Sequence, residues 1–313
     1  MGMIDARASL LLRHGGLALL ILVVCRTSFA GPLDASPRAP SAQMQLVAPR
    51  VIRNVRYGAD LKQRFDVYAP LDAHAAPVIF MVHGGGWAFG DKSARGVIDN
   101  KVARWVPRGF IVISVNYRML PEFDPIEQAK DVARALAVAQ QRVAEWGGDR
   151  TKFILMGHSA GGHLVMLLTT SPALFGELPV APWLGVISIE GGALDVVEIM
   201  HAPHGPLYDR AFGRDTAYWR AASPSHALAR QTSPLLLVCS IRRPDGCARA
   251  DRFAARAESF GGRAAVLRED LSHAEADARL GLDPGYTAGV EGFMRSLDTS
   301  IAAALPVTAS TNR

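Results

Sequence analysis

About 280 residues remain once residues 1–30 are set aside, a length that suits one large α/β domain or two small ones. Hydrophobic residues make up 49% of the chain and charged residues 20%, so a sizeable core can be buried and a disordered chain is excluded. The formal net charge is +5, but the positive residues are scattered and Arg242-Arg243 is their densest pair. No basic stripe interleaved with aromatics is present, which argues against nucleic acid as a partner.

The N-terminus has the pattern of an export signal. Arg7 and Arg13 supply a positive region, and Gly15 to Val24 form an apolar stretch too short for a comfortable membrane span. Ser28-Phe29-Ala30 places small residues two apart before Gly31, so cleavage is expected after residue 30. A retained N-terminal anchor is the alternative, and Cys25 raises a lipoprotein option that the bulky Val24 argues against. The expected location is therefore periplasmic or extracellular, with no membrane span left after cleavage. Two cysteines then remain, Cys239 and Cys247, and in an exported protein an even number points to a disulfide. Two unpaired, partly buried thiols are the other reading.

Residues 31–50 are rich in Pro, Ala and Ser without periodicity and read as a flexible lead-in. Val55 to Tyr57 and Arg64 to Tyr68 then predict an opening hairpin. Val78 to Val82 and Ile111 to Val115 are continuous apolar runs rich in branched residues, as in strands buried on both faces. Asp124-Pro125-Ile126-Glu127 opens a helix with a capping Asp, a first-turn Pro and a Glu at the capping-box position. Ile126, Ala129, Val132, Leu136 and Val143 form its apolar face, and Gly147-Gly148 stops it. A strand from Lys152 to Met156 leads into Gly157 to Gly162 and an apolar helix to Thr170. Strands at Val186 to Ile189, Leu235 to Val238 and Ala264 to Leu267 follow, with helices around Ala248 to Phe260 and Gly289 to Ala304. Such alternation means an α/β fold with a mostly parallel central sheet covered by helices on both faces. Residues 191–230 interrupt it and read as a small inserted cap, so the domain runs over 51–305 and residues 306–313 form a tail.

A nucleophilic serine needs an exposed Oγ, a base within reach and backbone N–H groups awaiting the oxyanion. Gly157-His158-Ser159-Ala160-Gly161 meets the first need, because it places a serine on a sharp strand-to-helix turn. The motif alone is weak, and its position between an apolar strand and an apolar helix strengthens it. His83-Gly84-Gly85-Gly86-Trp87 after the strand Val78 to Val82 is more specific. Three glycines leave the main chain bare, so its N–H groups can face a substrate oxygen. A phosphate-cradling loop is the competing reading, and no Lys-Ser/Thr completes one.

With Asn116-Tyr117-Arg118 and the run from Gly147 to His163 added, the chain resembles α/β-hydrolase esterases related to hormone-sensitive lipase, the feruloyl-esterase-like and arylformamidase-like carboxylesterases above all. The resemblance covers most of residues 50–300. It implies Ser159 as nucleophile and the backbone N–H groups of Gly85, Gly86 and Ala160 as oxyanion hole, with His83 structural. The hydrolase order of serine, acid and histidine points to His273, in a polar loop after the last strand, as base. His163 is expected to pack on its helix, and His158 to diverge from Ser159. His201 and His204 form an H-x-x-H pair with no third ligand in view, so no metal is expected, and serine acyl transfer needs no cofactor.

The acid is expected from the loop after Leu235 to Val238, where family members commonly carry Asp soon after a glycine. This chain departs from that pattern, and Asp245 is its first acid there, in a loop that a Cys239–Cys247 bridge would fix. Asp251 and Glu190 are the alternatives. Trp87, Phe89 and Tyr117 are candidates for a substrate pocket, and Pro203, Tyr208, Phe212 and Trp219 either roof it or close the cap's own core. The expected activity is hydrolysis of small or medium esters through an acyl-enzyme. An amidase or formamidase using the same triad is one alternative, and a catalytically silent binding module is another.

Overall fold

The computed structural model describes residues 48–307. The expected leader at 1–30, residues 31–47 of the lead-in and residues 308–313 of the tail lie outside the described residues. The first strands, β1 (Arg50–Arg56) and β2 (Arg64–Ala69), make the predicted antiparallel hairpin. Next, β3 (Ala76–Val82) runs into the glycine loop, followed by α1 (Arg95–Trp105) and β4 (Ile111–Val115). α1 has no clear amphipathic pattern in the sequence, because its buried face of Val97, Ile98 and Trp105 is interrupted by Lys101. That lysine is itself buried and pairs with Asp277 at 2.7 Å.

Asp124 caps α2 (Pro125–Arg142) as expected, its carboxylate accepting from the Ile126 and Glu127 amides. The chain then turns at Gly147, φ 84°, where a Cβ would lie 2.1 Å from the Ala73 carbonyl oxygen. β5 (Gly148–His158) is longer than expected and hands over to α3 (Ala160–Thr170), then β6 (Gly185–Ile189). The cap consists of four short helices, α4 (Val196–His201), α5 (Pro206–Phe212), α6 (Thr216–Ala221) and α7 (Pro224–Ala227). After β7 (Leu235–Ser240), α8 (Gly246–Ser259) and β8 (Ala264–Glu269) comes α9 (His273–Ala278). The single final helix expected is two, α10 (Pro284–Arg295) and α11 (Thr299–Ala304), because Asp298 caps a new start through the Ser300 and Ile301 amides.

The eight strands form one sheet in the order β1-β2-β4-β3-β5-β6-β7-β8, parallel from β4 to β8. Alternation along β3 sends Val78, Phe80 and Val82 into one core with α2, α3 and the cap. Ile79 and Met81 enter a second core with α1, α10 and α11. Both faces of the strand are dry, which is why its sequence is apolar without a break. Among the described residues, no helix is long and apolar enough to cross a membrane.

The start of α3 lies hard against β3. A Cβ on Gly161 would sit 2.1 Å from the Val82 carbonyl oxygen and 2.6 Å from that of His83. Gly161→Ala is therefore expected to lower stability by about 2–3 kcal/mol, read by urea denaturation. Gly96→Ala is the control, since its Cβ would meet only the Ala278 Cβ at 3.7 Å.

Candidate active site

Parallel strands bring their C-terminal ends to one edge of the sheet, and the site is assembled there. Ser159 follows β5 directly, with φ 53° and ψ −116°. This is a left-handed conformation that costs a non-glycine residue on the order of 1–3 kcal/mol and persists only when its surroundings impose it. The surroundings are close backbone contacts. The Ser159 amide donates to the Ile189 carbonyl at 2.9 Å, and a Cβ on Gly157 would stand 2.3 Å from the Gly161 oxygen.

Ser159 Oγ lies 2.8 Å from Nε2 of His273. Nδ1 of the same ring lies 3.1 Å from Oε2 of Glu190. With Nδ1–H donating to the carboxylate, Nε2 is left as the acceptor for the serine hydroxyl. His273 opens α9 behind a capping box formed by Ser272 and Glu275. Nε2 of His158 lies 2.9 Å from the His273 carbonyl oxygen, and the two rings pack with centroids 4.7 Å apart. His158 thus diverges from Ser159, as expected, and bears on the segment that carries His273. Behind it, Asp277 stands 3.5 Å from His158 Nδ1 and is paired with Lys101.

The acid is corrected. Asp245 does not reach His273: it is exposed, with φ 60°, at the start of α8. Asp251 pairs with Arg268 on the surface. The carboxylate on the imidazole is that of Glu190, the residue directly after β6. β5 and β6 are paired in parallel, so His158 opposite Ile189 sets Ser159 beside Glu190. The loop from Ser240 to Gly246 instead turns Arg243 inward, its Nη1 donating to Glu190 Oε2 at 2.8 Å. The Ser240 amide donates to Oε1 at 2.6 Å. Burial by itself would raise the Glu190 carboxyl, but the hydrogen bonds from His273, Arg243 and the Ser240 amide outweigh it and hold it at about 2. The signal available in the sequence was a lone glutamate ending an otherwise apolar strand. Cys239 and Cys247 are bonded, with Cα atoms 5.2 Å apart, and the loop they close carries Arg243 as well as Asp245.

The glycine loop covers Ser159 from the other side. Gly85 and Gly86 have φ of 119° and 59°, and a Cβ on Gly85 would meet the Phe89 carbonyl oxygen at 2.2 Å. Gly85, Gly86 and Ala160 border the cleft at Ser159. Below them, His83 is buried and stacked on Tyr117, whose hydroxyl donates to the His83 carbonyl at 3.0 Å. Burial pushes the His83 imidazole below its ordinary value. The Trp87 indole N–H donates to His163 Nδ1 at 3.1 Å, and His163 Nε2 faces the Ala222 carbonyl at 2.8 Å. Burial lowers His163 to about 4, so it stays neutral and links the glycine loop, the serine's helix and the cap.

The cleft over Ser159 measures about 420 Å³ and is bordered by Trp87, Ala193, Leu207, Tyr208 and Arg243 among others. Of the three pocket candidates, only Trp87 borders it. Tyr117 is fully buried beneath His83, and Phe89 is 66% exposed and does not line the cleft. Tyr208 roofs the cleft, whereas Phe212 packs on Trp87 and His163 in the core of the cap. His201 faces the Val197 carbonyl and His204 faces Asp209, rather than a shared point.

Residues 65–176 match the BD-FAE family. Esterase LipC of Mycobacterium tuberculosis is 31% identical over 205 residues, 61% of this chain and 50% of LipC. A probable isoprenylcysteine alpha-carbonyl methylesterase of Oryza sativa subsp. japonica is 33% identical over 116 residues, 37% of this chain and 27% of that protein. The chain thus spans half or less of the length of these relatives. Among solved structures, esterase B from Lactobacillus rhamnosis superposes with a TM-score of 0.66 at 20% identity, covering 86% of this chain and 89% of that one. Esterase Est2 of Thermogutta terrifontis gives 0.62 at 19% identity, covering 85% and 98%. The chain has the α/β-hydrolase fold, and its similarity to esterases of that fold, expected from the two glycine motifs, is borne out.

The depressed carboxyl has a consequence for stability. Glu190 falls from an ordinary 4.5 to about 2 on folding, so its ionised form stabilises the fold fully above the ordinary value and loses that contribution as pH drops toward 2. Glu190→Gln is expected to lower the urea midpoint more at about pH 6 than at about pH 2.5. An equal loss at both would contradict the ionised assignment.

Proposed function

We propose that this chain is a serine carboxylic ester hydrolase working through an acyl-enzyme on small or medium esters. One observation carries the reading: a strained serine, an imidazole and a buried carboxylate stand in hydrogen-bonded sequence beneath a side-chain-free loop. Ser159 Oγ attacks the ester carbonyl carbon while His273 Nε2 takes its proton. The carbonyl oxygen becomes an oxyanion, held by the amides of Gly85, Gly86 and Ala160, which donate to no carbonyl among the described residues. Glu190 stabilises the imidazolium and keeps its Nε2 toward the serine. The imidazolium then returns the proton to the departing alkoxide, and the alcohol leaves. A water molecule, deprotonated by the same nitrogen, attacks the acyl carbon, and the acid departs as Ser159 regains its proton.

The esterase names of the relatives support the ester over other acyl bonds. Esterase B with a bound tributyrin phosphonate shows a neighbour in fold that takes such an inhibitor. The cleft volume lies in the range of small-molecule sites. The Cys239–Cys247 bridge supports the proposed export to an oxidising compartment.

The full chain should hydrolyse 4-nitrophenyl butyrate, and a fluorophosphonate should add once, at Ser159. Ser159→Ala is expected to cost about four orders of magnitude or more in kcat. Unchanged turnover would sink the proposal. Glu190→Gln is expected to lower kcat about a hundredfold to ten-thousandfold, with Asp245→Asn within about twofold of the parent. The reverse ranking would return the acid to the loop after β7.

A further inference from the structure

We infer that Arg243 selects esters that carry a carboxylate close to the scissile carbonyl, an inference that rests on the ester-hydrolase reading above. A guanidinium offers five donors in a planar fork, and an arginine that serves only to hold a carboxylate commonly uses two of them on it. Arg243 uses one. Nη1 alone reaches Glu190 Oε2, while Nη2 and Nε have no hydrogen-bond partner among the described residues. The side chain is 36% exposed, and it borders the cleft that holds Ser159 and His273.

The free edge of the fork has no protein anion assigned to it. Asp270 and Glu275 are engaged by Arg242, and Glu198 by Arg249 and Arg252, while Asp245 of the same loop is exposed and makes no ion pair with Arg243 among the described residues. Among the described residues, Glu190 is the sole acidic side chain bordering the cleft, and it is 2% exposed. Its oxygens are already occupied by the Ser240 amide, His273 and Arg243 Nη1. Gly192 forms the wall in front of the guanidinium. A Cβ there would stand 3.6 Å from Nη2 and 3.9 Å from Nη1, in ordinary contact, so a methyl at this position would cover part of the fork.

The position suits a substrate group. Nη1 lies 3.3 Å from His273 Nδ1, and the opposite nitrogen of that ring meets Ser159 Oγ at 2.8 Å. The cation is therefore one imidazole ring away from the nucleophile. Much of the remaining lining, with Trp87, Ala160, Ala193 and Leu207, is apolar, and besides the histidines Arg243 is the one basic side chain bordering the cleft among the described residues. A short carboxylated ester can place its carbonyl at Ser159 and its carboxylate on Nη2 and Nε. The carboxylate can belong to the acyl part, as in a dicarboxylic monoester, or to the alcohol part, as in an acylated hydroxy acid.

The test measures kcat/KM of the full chain by pH-stat for two matched pairs. Monoethyl succinate against ethyl pentanoate places the charge on the acyl side, and acetoxyacetate against propyl acetate places it on the alcohol side. In one pair the anionic ester is expected to lead its neutral counterpart about tenfold or more, as a charge-assisted hydrogen bond in the transition state allows. Arg243→Gln should bring that ratio down about tenfold. Gly192→Ala should lower the ratio as well, because its methyl covers Nη2 while the Arg243–Glu190 contact stays intact. A purely supporting role for Arg243 would slow both esters of a pair alike and leave the ratio unchanged. That result, or a preference for the neutral ester in both pairs, overturns the proposal while leaving the hydrolase reading standing. Absence of turnover with all four esters overturns this proposal, and if 4-nitrophenyl butyrate is not hydrolysed either, the hydrolase reading falls with it.

Discussion

The site depends on a negative charge kept almost entirely out of water. Glu190 sits at the end of a strand buried on both faces, where an unpaired carboxylate would be too costly to keep ionised. Three donors make it tolerable: a backbone amide from β7, a guanidinium from the loop that follows β7, and an imidazole from the start of α9. Each donor is also a restraint. By compensating the charge, the fold ties together the ends of β6 and β7 and the segment carrying His273, so the electrostatic solution and the geometric one are the same set of bonds.

Against this charged cluster stands a second constraint, the shortage of room around Ser159. Gly157 and Gly161 are small because carbonyl groups occupy the space where their side chains would be. The glycine loop approaches just as closely, since a Cβ on Gly84 would lie 2.8 Å from His158 Nδ1 and 3.0 Å from Ser159 Cβ. The loop is also held from outside. Gln128 Nε2 donates to the Trp87 carbonyl at 2.9 Å, and Leu207 of the cap lies where a side chain on Gly86 would be. Rigid supports of this kind would let backbone amides stay in place without a change of shape during the proposed reaction, the condition under which fixed dipoles stabilise charge well.

Much of the molecule was legible because local chemistry and global fold agree. Apolar runs marked both-face-buried strands, an Asp-Pro start marked α2, and the close-packed glycines made the serine turn and the glycine loop recognisable. What misled was a break in that agreement. Lys101 breaks the apolar face of α1 and is explained by its partner Asp277, whereas Asp298, read as lying inside one final helix, caps the start of a second. Phe89 and Tyr117 adjoin the right motifs, yet the chain turns the first outward and buries the second.

The sequence by itself determined the kind of fold, which follows from periodicity and from spacing that only glycine can satisfy, and it singled out Ser159 and His273 as candidates through the order of motifs shared with similar hydrolases. Only the tertiary structure decided which carboxylate meets the imidazole and what borders the cleft. Strand pairing brings residue 190 next to residue 159, while the short loop after β7 turns Arg243 in and Asp245 out. Side-chain direction in such loops is set by contacts between distant segments, and spacing along a single chain carries no record of them.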